Sequence, residues 1–154
     1  MLMQYFARDD GSLPEIEARF VRPEDAIRAF GLLFELGATD ATRGGGRVWQ
    51  MALGLERPFE GPGDAAFIIT GEIDPFHVVL ADIRIDGVAL PELGFFVCPD
   101  SLTLDYRMGA AWGGLEVRAL LRLLGFLRNA GATIHVPWWG EQGEAEFLSS
   151  LGST

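Results

Sequence analysis

Three stretches of the chain carry residue types that can do chemistry. Asp105-Tyr106-Arg107-Met108-Gly109, running on to Trp112, sets a carboxylate and a guanidinium two residues apart, on one side of an extended strand and just ahead of a glycine-rich turn. Arg107 there can clamp an anionic ligand with Trp112 as a wall; the plainer reading is a cross-strand ion pair at a strand end. Trp138-Trp139 precede Glu141, Glu144 and Glu146. Neighbours on an extended chain point opposite ways, so at most one tryptophan enters the core. The other is a candidate interface anchor or stacking wall, with packing beneath the last helix as the alternative.

His77 and His135 are the only side chains that ordinarily titrate near neutrality. Asp74 and His77 flank a turn, and Cys98 and Ser101 have the atoms of a nucleophile, yet no spacing fixes a base against either. Cys98, between the apolar run Phe95-Phe96-Val97 and Pro99, reads as a buried, inert thiol. Catalytic residues are therefore not assigned. One cysteine and two histidines cannot supply a four-ligand structural zinc site without carboxylates, so no metal or other cofactor is expected. Gly44-Gly45-Gly46, between Arg43 and Arg47, lacks the Gly-Lys-Ser/Thr ending and following helix of a phosphate loop.

The elements that must position these groups follow from periodicity. Ile16, Ala18 and Phe20 alternate with Glu15, Glu17 and Arg19, which predicts a half-buried strand. Pro23, Glu24 and Asp25 open a helix and Gly37 closes it, near 23–36, with Gly31 suggesting close approach to a neighbour. Trp49, Met51, Leu53 and Leu55 predict one strand face; further strands are expected at 65–73, 77–86, 93–98 and from about 101 to 108. In 77–86, Val79, Ala81, Ile83 and Ile85 are read inward against Asp82, Arg84 and Asp86. A broad apolar surface with a polar stripe of Arg118, Arg122, Gly125 and Asn129 predicts a helix near 114–130. A strand at 132–136 and a short helix near 141–150 follow. With no repeat or linker, residues 1–154 read as a single α+β domain: a largely antiparallel sheet with two main helices on one face and a short C-terminal helix.

The 154 residues carry 12 basic and 22 acidic groups, a formal net charge of −10. Scaling gives roughly 7,600 Å² of folded surface and about two-thirds of the chain's surface buried, enough for a core without staples. Residues 60–105 hold nine carboxylates opposed only by Arg84, a net of −8. Such a surface repels nucleic acid and anionic lipid and attracts basic proteins; it also serves solubility alone. No apolar run spans a bilayer and no leader pattern opens the chain, so a cytoplasmic setting is expected.

Two functional readings result. The first is a non-enzymatic protein–protein interaction module whose acidic surface, including Glu72, Asp82, Asp86, Asp105 and Trp139, docks a basic partner, in an inhibitor, antitoxin-like or immunity-like role. The second is a small-molecule-binding domain or enzyme with a site around Asp105, Arg107, Trp112, His135 and Trp139. Homo-oligomerisation is a third possibility, since both main helices are apolar over most of their circumference.

Overall fold

The computed structural model describes residues 2–152 and is α+β. Its main sheet has six strands in the order β10-β1-β9-β8-β5-β2, and all of its pairings are antiparallel. These are β1 (Glu15–Phe20), β2 (Thr39–Asp40), β5 (Phe76–Ala81), β8 (Leu93–Val97), β9 (Ser101–Tyr106) and β10 (Ala132–His135). Two hairpins lie apart from it, β3 (Arg47–Gln50) with β4 (Leu55–Pro58), and β6 (Arg84–Ile85) with β7 (Val88–Ala89).

Alternation decides which face is covered. Ile16, Ala18 and Phe20 of β1, Leu102, Leu104 and Tyr106 of β9, and Ala132 and Ile134 of β10 are buried. Against them lie α1 (Pro23–Glu35), touching β1 and β9, and α3 (Gly114–Asn129), touching β1 and β10. Pro23 enters α1 without giving up a needed N–H, and Glu24 and Asp25 complement the helix N-terminus. In α3, Glu116 accepts the Gly113 N–H at 3.0 Å, and buried Val117, Leu120, Leu121, Leu124 and Leu127 recur at helical spacing. One contiguous core results, closed at one end by the C-terminal α4 (Gly140–Gly152) and a short N-terminal 3-10 turn, Leu2–Tyr5. The total exposed area is 7936 Å².

Several local expectations are corrected. The stretch 65–73 is not a strand but α2 (Asp64–Thr70), with Asp64 in its first turn and left-handed Gly71 as its C-cap. The stretch 77–86 is not one strand either: Asp82 takes φ 66°, and this left-handed residue shifts the phase. Phe76, Val78 and Leu80 therefore face the core in β5 while Val79 and Ala81 face outward, and Ile83 and Ile85 return to the core beyond the break. Asp86-Gly87, both at positive φ, form the two-residue turn between β6 and β7. The segment from Trp49 to Leu55 turns back on itself at 51–54, so its exposed apolar residues do not line one strand face. Gly31 meets no close neighbour.

The main sheet ends in an unusual way at β2. Only Thr39 and Asp40 pair with β5, after which Ala41 N–H donates to Val79 O at 2.8 Å and the Thr42 hydroxyl accepts the Val79 N–H at 2.9 Å. The Asp40 carboxylate holds this loop by accepting the N–H groups of Thr42 at 3.0 Å and Gly46 at 2.7 Å.

Candidate functional site

The helices leave the other face of the sheet uncovered. Register places His135, Glu17, Thr103, Phe96 and His77 in one row across β10, β1, β9, β8 and β5. A second row holds Glu15, Asp105, Gly94 and Val79. Arg19 shares this face but is tied to Glu17 at 2.6 Å on its own strand. Phe96, 41% exposed in the middle strands, is the large aromatic of the surface.

Asp105 and His77 meet across a strand. Their positions on β9 and β5 are separated by β8, about 10 Å of sheet, yet Asp105 Oδ2 lies 2.7 Å from His77 Nε2. Gly94 makes this reach possible: a Cβ there would fall 2.4 Å from both carboxylate oxygens, so the carboxylate lies over the glycine. The carboxylate is mostly buried and the imidazole almost half exposed. Such a pair orients an imidazole, but no hydroxyl or thiol among the described residues bonds to it. Cys98 follows β8 in the turn to β9, and burial pushes its thiol up, against a lowering hydrogen bond with Ser101 and with Asp100 raising it further. A thiol held protonated is a poor nucleophile.

The residues nominated for docking a partner do not gather. Asp105 lies on the uncovered face, whereas Asp86 pairs with Arg122 of α3 at 2.6 Å on the helical side. Asp82, at the break after β5, accepts the Thr39 hydroxyl at 2.7 Å. Glu72 follows α2, where its carbonyl accepts the Met51 N–H at 3.0 Å. Trp139 is half-buried; its indole N–H donates to the Tyr106 hydroxyl at 3.0 Å and its ring lies 5.0 Å from that of Tyr5. The tryptophan left in solvent is Trp138.

The residues nominated for a small-molecule site are also dispersed. Trp112 is in the core among Phe6 and Tyr106, its indole N–H donating to the Arg107 carbonyl at 2.8 Å, on the opposite side of the sheet from Asp105. Arg107 is exposed past the end of β9 and makes no ion pair among the described residues. His135 is half-buried on edge strand β10 opposite Glu17, two strands from Asp105. The partner of Asp105 is His77, which the sequence offered only beside a turn; the signal was its shared parity with Val79 and Ala81, read inward because the break at Asp82 was not visible. No group of three or more His, Cys, Asp or Glu among the described residues is arranged to hold a metal ion, and no helix among them is long and apolar enough to cross a membrane.

Comparison of the chain with protein-family models, with curated proteins and with solved structures gives no match in any of the three.

Proposed function

We propose that this chain is a non-enzymatic interaction module, acting in the cytoplasm, that docks a basic protein in an inhibitor, antitoxin-like or immunity-like role. The observation that carries the reading is the uncovered sheet face, where exposed Phe96 lies between Thr103 and His77 with Asp105, Glu17 and Glu15 on the neighbouring strands; Arg19 there is tied to Glu17, and Arg107 is exposed just past the end of β9. An exposed aromatic with carboxylates on the neighbouring strands suits a positive patch: the carboxylates steer encounter and the ring supplies contact energy. Elsewhere on the surface Glu72, Asp74, Asp82, Glu92 and Asp100 are exposed and make no ion pair among the described residues, which adds to the negative field of the whole molecule.

The test is capture from lysate of the source cells at low and high salt, with Phe96→Ala and Glu17→Gln/Asp105→Asn as paired baits. The expected result is one basic protein in near-stoichiometric amount, lost at high salt and lost to both baits. A protein retained equally by both variants, or no salt-sensitive capture, refutes the reading.

A further inference from the structure

A second surface lies away from the sheet face. Among the described residues, six of the twelve exposed large apolar side chains fall within residues 49–69, on the β3–β4 hairpin and α2. The hairpin is exposed from Met51 through Glu56, and Leu53 at its tip is 65% exposed. It is nonetheless firmly held at its base. Val48 is buried, Gln50 bridges to Ile73, and Arg57 on β4 grips Asp64 of α2 at 2.7 Å. Between hairpin and α2 lies a hollow of about 290 Å³ with Gln50, Phe67 and Ile73 among its walls and Glu60 and Glu72 beside them. Pairing puts Leu55 directly across from Gln50, so an apolar side chain flanks the mouth.

We infer that this hollow and hairpin form a docking site for a basic amphipathic segment of a partner protein, separate from the sheet face. Charge complementarity selects that occupant. Among the described residues Arg57 is the one cation lining the hollow and it is consumed by Asp64 and Glu60, so that Glu72 has no ion-pair partner among them and Glu60 stays on the solvent side of its pair. Asp74 extends the negative rim along the segment beside the hairpin, while Glu56 is tied to Arg47 of the hairpin at 3.6 Å. Anionic lipid is repelled by such a rim, and a second copy would bring like charges together. A segment with alternating cationic and apolar side chains places its apolar groups on Leu55 and Phe67 and its cations on Glu60 and Glu72. Phe67 also offers an aromatic face to a cation. The inference goes beyond the sheet-face reading and does not depend on it.

The probe is a designed 18-residue Leu/Lys amphipathic peptide, titrated into the isotopically labelled full chain at 50 and 300 mM salt, followed by amide shifts. The expected result is perturbation centred on residues 47–74, with outward amides of β1, β9 and β10 unmoved. Affinity should fall at least tenfold at the higher salt and at least tenfold in Glu60→Gln/Glu72→Gln. Phe67→Ser, at an exposed position, should weaken binding while leaving thermal stability unchanged. Shifts scattered over the acidic surface, shifts confined to the sheet face, equal binding by the variants, or no binding at 50 mM would each overturn the inference. So would concentration-dependent dimerisation abolished by Leu53→Asp, which would assign the surface to a second copy. The sheet-face reading fails separately, through the Phe96 and Asp105 variants.

Discussion

Removing the Asp64 carboxylate should be among the costliest single changes to a polar group in this protein. Asp64 is 4% exposed and accepts three N–H groups, from Arg57 Nη2 at 2.7 Å, Arg57 Nη1 at 3.2 Å and the Glu60 backbone at 2.8 Å. The carboxylate also draws the Arg57 pKa up through its hydrogen bond, against desolvation. Asp64→Ala strands a guanidinium whose side chain is 15% exposed and leaves the Glu60 N–H without its acceptor. Breaking a buried pair in this way costs about 3–5 kcal/mol. Glu60, 3.1 Å from Arg57 Nη1 and largely in solvent, remains to hold part of the charge, which sets the expected loss near the lower end. About 3 kcal/mol corresponds to roughly 6–12 °C in a domain of this size. Chemical denaturation with a matched thermal scan measures it, and Asp64→Asn serves if the alanine variant does not fold. Arg57→Met/Asp64→Leu, which removes both charges, should recover the part of the loss owed to the stranded guanidinium, the Glu60 N–H still lacking its acceptor. A cost below about 1 kcal/mol for Asp64→Ala, the value of an exposed pair, would refute the reasoning.

Three further outcomes are expected. Gly94→Ala drives a methyl group into the Asp105 carboxylate, which must swing off His77, and should cost about 1 kcal/mol, the scale of a partly exposed pair; in that background Asp105→Asn should add little, and full additivity in a double-mutant cycle would contradict the crossing geometry. Burial raises the Tyr106 pKa, partly offset by its hydrogen bond with Trp139, and burial together with Glu146 raises that of Tyr5. A tyrosine whose folded pKa lies above its unfolded value near 10 withdraws stability as pH climbs past 10, so phenolate absorbance should appear together with unfolding rather than before it. Cys98 should react with a thiol reagent at pH 8 several-fold more slowly than a short cysteine peptide, and equal rates would contradict its raised pKa.

How much of this was legible depended on whether neighbours in sequence were also neighbours in cause. β1, β9 and β10 alternate cleanly, and α1 and α3 carry wide apolar faces bounded by Pro23 and Gly131, so their periods and ends were readable locally. α2 was not, because Ala65-Ala66-Phe67-Ile68-Ile69 is apolar at every position and fits strand or short helix; Asp64 and left-handed Gly71 at its two ends decide for the helix. The phase of β5 depended on one backbone torsion at Asp82. The His77–Asp105 pair lay furthest out of reach, since it needs the strand order and the vacant side-chain position at Gly94 together. Tryptophan placement was half legible: one of the pair does leave the core, but it is Trp138, because the Trp139 indole finds the Tyr106 hydroxyl.

The loop that follows β2 settles what happens at the margin of the sheet. A free strand edge is a template for further pairing, and β5, with Phe76, Val78 and Leu80 on one side, would make an adhesive one. Thr42 and Ala41 occupy the hydrogen-bonding groups of Val79, and the Asp40 carboxylate clamps the loop that brings them there. At Val79 the edge is thus occupied by side-chain and loop hydrogen bonds instead of another strand. The Asp40 pKa is lowered because the hydrogen bonds from Thr42 and Gly46 outweigh desolvation, so the clamp holds above the ordinary aspartate range and is released as pH falls through the depressed value. Protonation of that carboxylate removes the acceptor that ties Thr42 and Gly46 into the loop, so the closure of this edge weakens at acid pH.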